Sequence, residues 1–89
     1  KNAGMLFDYK VPTSITMWMK NTFIPLDMIF INNDGKVINI VQRAIPFSEN
    51  VISSAGKARG VLEVNGGTAS RLGIKPGDKI LHRIFGNME

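Results

Sequence analysis

Few residues in this chain have types and spacings that could carry chemistry. There is one histidine, His82, and no cysteine. Ser-His-Asp and Cys-His arrangements therefore fail, since no serine sits in a nucleophile-elbow setting beside a usable base. Disulfides and thiolate zinc clusters fall with the cysteine. No pair of His, Asp or Glu stands at zincin spacing, and "NNDG" at 32–35 lacks the further acidic ligands of a calcium loop. The expectation is a domain with no metal and no cofactor. "NGGTASRLG" at 65–73 invites comparison with a phosphate cradle, because glycines before a helix can turn amide groups toward an anion. It has neither the lysine of a Walker loop nor the dinucleotide spacing, so helix capping accounts for it better.

What remains are polar residues in apolar company: Lys20, Asn21, Asp27 and Glu63. A buried charge without a partner is costly, so each must reach water, pair or hydrogen-bond. In a structural reading, Lys20 or Arg59 pairs with Asp27 or Glu63 and fixes strand register. In a functional reading, they form the polar rim of a cleft floored by Trp18 and methionines, the mixture expected where a small molecule, glycan or peptide binds. A catalytic version makes Asp27 or Glu63 a general base with Lys20 as its electrostatic partner. Trp18 is the pivot, as core lid or ligand platform.

The elements that must position these residues can be read from periodicity. "SITMWMK" at 14–20 alternates as a strand, with Ile15, Met17 and Met19 on one side and Thr16, Trp18 and Lys20 on the other. "LDMIFIN" at 26–32 is apolar on both alternating sets, as in a strand buried on both faces. "NTFIP" between them suggests a hairpin. Asp34-Gly35 is a turn that sets Ile31 opposite Val37, and a strand from Lys36 to Arg43 follows. "PFSENVISSAGKARG" at 46–60 has the composition of a long surface loop. "GVLEV" returns to strand, and a short helix follows, capped by Asn65 or Thr68 and closed by Gly73. "KPGD" at 75–78 makes a type II turn. "KILHRIF" at 79–85 reads as a last strand. Five strands and one helix predict a mainly β domain, either a small antiparallel barrel or a strongly curved sheet closed by the helix.

The 89 residues suit a single domain, 1–89, with 44% hydrophobic and 20% charged residues placing it among globular chains. The net charge of +4 is spread along the sequence with no run of three basic residues. That argues for a solvated surface and against a nucleic-acid partner. No apolar run approaches the roughly 20 residues of a transmembrane helix.

"GMLF" at 4–7, "MWMKNTFIPLDMIFIN" at 17–32, "DGKV" at 34–37 and "VLEVNGGTASRLGIKPGDKI" at 61–80 resemble, in this order and spacing, the domain of unknown function 192 family. The resemblance covers nearly the whole chain. It implies a compact, barrel-like bacterial or archaeal β-domain, commonly exported, with no established activity. It also marks Trp18, Lys20, Asn21, Pro25, Leu26, Asp27, Glu63, Gly73, Gly77 and Asp78 as motif positions, without a catalytic assignment. Family members carry a further strand before "GMLF". A processed or trimmed chain beginning at Lys1 would lack it, leaving a sheet edge open to strand pairing or dimerisation. A shorter resemblance, "ASRLGIKPGDKIL" at 69–81, is to PDZ domains, which bind peptides by strand addition.

These readings leave three classes of function. The leading one is a non-enzymatic, envelope-associated binding or accessory domain, periplasmic or extracellular, holding a small molecule, glycan or peptide at Trp18, Lys20, Asn21, Asp27, Arg59 and Glu63. The others are a hydrolase or lyase, and a strand-edge interaction module; a cytoplasmic location fits if no signal peptide precedes Lys1.

Overall fold

The computed structural model describes residues 4–87. Four strands form one antiparallel sheet: β1 (Gly4–Met17), β2 (Leu26–Ile31), β3 (Val37–Ala44) and β4 (Ile52–Asn65). A short helix, α1 (Thr68–Leu72), and a 3-10 turn at Arg83–Phe85 follow. The strand order is β1-β4-β2-β3. The sheet is not closed into a barrel, and β1 and β3 form its outer edges.

β2 is the centre because its sequence allows nothing else. Met28, Ile29, Phe30 and Ile31 are all buried, and alternation sends Met28 and Phe30 to one face and Ile29 and Ile31 to the other. Ile15, Met19, Ala44, Ala58 and Val61 cover the first face; Val37, Ala69 and Phe85 cover the second. Each of the larger side chains among these, unlike the alanines, contributes about 1.5–3 kcal/mol of burial. The first face is covered by bending. β1 pairs with β4 along nearly its whole length, and register shifts between Asp8 and Thr13 and between Ser14 and Thr16 let the far end of this ribbon fold back. Asp8 holds the first irregularity: its Oδ1 accepts the Lys10 N–H at 2.8 Å and the Arg59 Nε–H at 2.7 Å.

The Ile31–Val37 pairing is present. Gly35, at φ +88°, makes the turn, while the Asn32 side chain accepts the Asp34 and Lys36 N–H groups. Gly73 closes α1 at φ +71°, and Gly77 in "KPGD" has φ +96°, both in the left-handed region glycine reaches without strain.

Other expectations are corrected. Among the described residues there are four strands rather than five. The strand before "NTFIP" pairs with β4, so no β1–β2 hairpin forms. The predicted long loop is short, because 52–60 belong to β4; its small residues fit where the folded ribbon packs tightly, with Ala58 wholly buried. "KILHRIF" is not a strand. It contributes one isolated bridge, Lys36 to Lys79, before the 3-10 turn. There His82 Nδ1 accepts the Ile84 N–H and Asn87 Oδ1 accepts the His82 N–H, so local side-chain bonds displace ladder pairing.

Candidate functional site

Two loops make one surface at the end of the sheet. Residues 18–25 connect β1 to β2, and residues 45–51 connect β3 to β4. Backbone bonds join them: Met19 N–H donates to Ser48 O at 3.1 Å, and Phe47 N–H donates to Thr22 O at 3.2 Å. Met19 anchors the first loop in the core. Its neighbours then face outward, with Trp18 51% and Phe23 78% exposed, and Phe47 of the second loop 56% exposed. Phe23 and Phe47 meet edge to face with centroids 5.3 Å apart. Ile24, Ile45 and Val51 are also exposed. Thr16, Met17, Trp18 and Val51 line a depression of about 300 Å³. Phe47 occupies the left-handed region, at φ +63°, a conformation uncommon for a bulky side chain and costing of order 1–3 kcal/mol.

Lys20 stands beside this surface, its Nζ 5.1 Å from the Trp18 ring centroid; at an exposed site such a contact is worth about 0.5–1 kcal/mol. Asn21 is exposed in the same loop. The other candidates lie elsewhere. Arg59 is engaged with Asp8 and, at 3.1 Å, with Asn33 Oδ1. The guanidinium hydrogen bond, with the Lys10 N–H, lowers the Asp8 carboxyl to about 2. Glu63 lies on β4 between Met5 and Met28, beside a depression of about 210 Å³ lined also by Gly4, Leu26 and Val64. Burial pushes its carboxyl up from the ordinary value.

Asp27 has a different place. It is 0% exposed, on the β2 face that α1 covers. Its Oδ1 accepts the Arg43 N–H at 2.8 Å and the Gly67 N–H at 3.2 Å; its Oδ2 accepts the Ala69 N–H at 2.8 Å. α1 begins at Gly67 with no capping bond from its own side chains, so Asp27 performs the role expected of Asn65 or Thr68. It also fixes a bulge: Leu26 pairs Ala44 and Met28 pairs Val41, leaving Gln42 and Arg43 opposite Asp27. Both oxygens accept backbone N–H groups and the side chain is wholly buried, so Asp27 holds the bulge and the helix start together from inside the fold.

The structure thus brings Trp18, Lys20 and Asn21 together and holds Asp27, Arg59 and Glu63 at separate positions. Phe23, Phe47 and Arg43 were not singled out by spacing. The signal for the phenylalanines was their place in loops next to proline, at Phe23-Ile24-Pro25 and Pro46-Phe47, where no periodic pattern gives them a core partner. Among the described residues there is no group of three or more His, Cys, Asp and Glu able to hold a metal ion. No helix of the structure is long and apolar enough to cross a membrane.

A family model, DUF192, described as "Uncharacterized ACR", matches residues 1–82. No curated protein matches the chain. Two solved structures are similar. One, from Sinorhizobium meliloti 1021, is described as a "putative transcription regulator"; it is 50% identical with a TM-score of 0.83, the alignment covering 85% of this chain and 59% of that one. The other, from Novosphingobium aromaticivorans DSM 12444, is described as a protein of unknown function; it is 51% identical with a TM-score of 0.86, covering 89% of this chain and 56% of that one. The chain spans less than two thirds of either relative.

Proposed function

From the premise that this chain belongs to the DUF192 family, we propose that it is a non-enzymatic binding domain whose two joined loops hold an apolar peptide segment against Trp18, Phe23 and Phe47. The carrying observation is Phe47: it is more than half exposed and backbone-strained at φ +63°. Neither burial nor conformational preference favours phenylalanine there, whereas a partner side chain filling the adjacent surface would gain from it. A peptide suits the chemistry better than a glycan. The Trp18 ring is already approached by the Lys20 ammonium, and the neighbours Ile24, Ile45 and Val51 are aliphatic.

The engagement of Asp27 by three backbone N–H groups supports the non-enzymatic side of the reading. Dispersed basic residues, with Arg59 engaged by Asp8, favour a polypeptide partner over nucleic acid. The envelope is the proposed location, resting on the family resemblance alone; fractionation of cells expressing the tagged full-length gene product tests it.

Peptides selected from a phage-displayed library on the immobilised domain would be titrated while following the emission of Trp18, the one tryptophan. The reading expects saturable changes that Phe47→Gly abolishes, with amide shifts at 18–25 and 45–51. Shifts confined to β1 would overturn it in favour of strand addition at the open edge.

A further inference from the structure

Beside α1 lies a second concavity, an open polar cleft of about 550 Å³ lined by Arg43, Asn65, Gly66, Gly67, Thr68, Ser70 and Arg71. Among the described residues no acidic side chain lines it. Two backbone amides of its glycine turn, those of Gly67 and Ala69, already donate to Asp27. The buried carboxylate is the turn's internal anion, and its charge is met by three N–H donors. The charged donors in the cleft are arginine side chains.

Arg43 is placed to hold an anion. It sits in the bulge opposite Asp27 with φ +50°, where glycine would be less strained. The backbone therefore gives no reason for arginine. Its guanidinium lies over Gly67: a Cβ built there would stand 3.1 Å from one terminal nitrogen and 3.7 Å from the central carbon. Any side chain at 67 would push the group away. Ser70, exposed on the same cleft, offers a hydroxyl from another direction. A planar fork with a hydroxyl donor suits a tetrahedral phosphoryl group.

We propose that this cleft binds the phosphoryl group of a ligand, with Arg43 as the principal contact and Ser70 as a second donor. The proposal is independent of the aromatic surface and survives its failure.

The test is an amide NMR titration with inorganic phosphate at constant ionic strength, with chloride as control and phosphatidic acid vesicles in a separate sedimentation arm. Saturable shifts at Gly66, Gly67, Thr68 and Ser70 are expected with phosphate and not with chloride. Arg43→Gly should keep or raise the unfolding temperature, because glycine relieves the backbone, and should weaken phosphate binding roughly ten- to hundredfold, the worth of a charged hydrogen bond. Arg43→Lys should fall between. Binding of vesicles through Arg43 without response to free phosphate assigns the phosphoryl group to a lipid headgroup; response to free phosphate assigns it to a soluble ligand. Equal binding by Arg43→Gly, chloride shifts matching those of phosphate, or no response in either arm would overturn the proposal.

Discussion

Replacing Asp27 with asparagine changes almost no volume and tests whether a buried carboxylate organises this end of the sheet. Three donors converge on it, two on Oδ1 and one on Oδ2, at 2.8, 3.2 and 2.8 Å. An asparagine keeping its oxygen at the Oδ1 position turns its NH2 toward the Ala69 N–H, donor against donor. One buried N–H is then unsatisfied, about 1–3 kcal/mol, and the remaining two bonds lose a charged acceptor, about 1 kcal/mol each. The smaller desolvation cost of a neutral amide offsets part of this. The net expectation is a loss of about 2–4 kcal/mol, read by urea unfolding with the m-value unchanged. Hydrogen exchange should quicken first at Ala69. A loss below about 1 kcal/mol, or uniform acceleration of exchange, would refute the reasoning. Adding Lys20→Met should give no rescue, because Lys20 lies against Trp18; the two effects should add within about 0.5 kcal/mol.

Other expectations follow from the same geometry. Asp34→Ala should be nearly silent, whereas Gly35→Val should unfold the hairpin, since Gly35 has φ +88° and a Cβ there would stand 2.7 Å from Ile80 O; thermal melts of the two single variants separate them. Glu63 has its carboxyl raised by burial, so the folded chain binds that proton more readily than the unfolded one. Its favourable contribution is complete below the ordinary 4.5 and is lost as pH rises through the folded value. Glu63→Gln should therefore stabilise at pH 7 and lose that advantage at pH 4, which urea melts at both pH values would read. For Asp8 the sign is opposite. Its carboxyl is lowered to about 2, so its contribution is present above the ordinary 3.8 and disappears as pH falls through 2. In Arg59→Gln the Asp8 titration, followed by NMR, should move up toward the usual range; a midpoint still near 2 would show that the guanidinium is not the main cause.

Much of the fold was legible because local rules agreed with the global arrangement. The doubly apolar "LDMIFIN" is the buried centre, and Gly35, Gly73 and Gly77 all adopt the positive φ their turns require. The errors fell where distant segments decide. Nothing local reveals that β1 pairs with β4, residues 35 to 60 positions apart in the sequence, or that the Ser, Ala and Gly of 53–58 form strand because the ribbon bends there. Trp18 and Lys20 were singled out as the wet face of a strand running to Lys20; the structure instead ends β1 at Met17, places both in the loop that follows, and adds Phe23 and Phe47. Asp27 stood out as a charge in a buried strand. Its partners could not be read, since Arg43, Gly67 and Ala69 contribute backbone N–H groups, which every residue type but proline possesses.

The account rests on an aromatic surface that contributes little to stability and much to binding, and Phe47→Gly separates those two roles in one variant. The measurement is its unfolding free energy beside its affinity for the selected peptide. Unchanged or higher stability is expected, since glycine accepts φ +63° freely, together with loss of peptide binding. A loss of about 3–5 kcal/mol, as for a core phenylalanine, with peptide affinity intact, would contradict it.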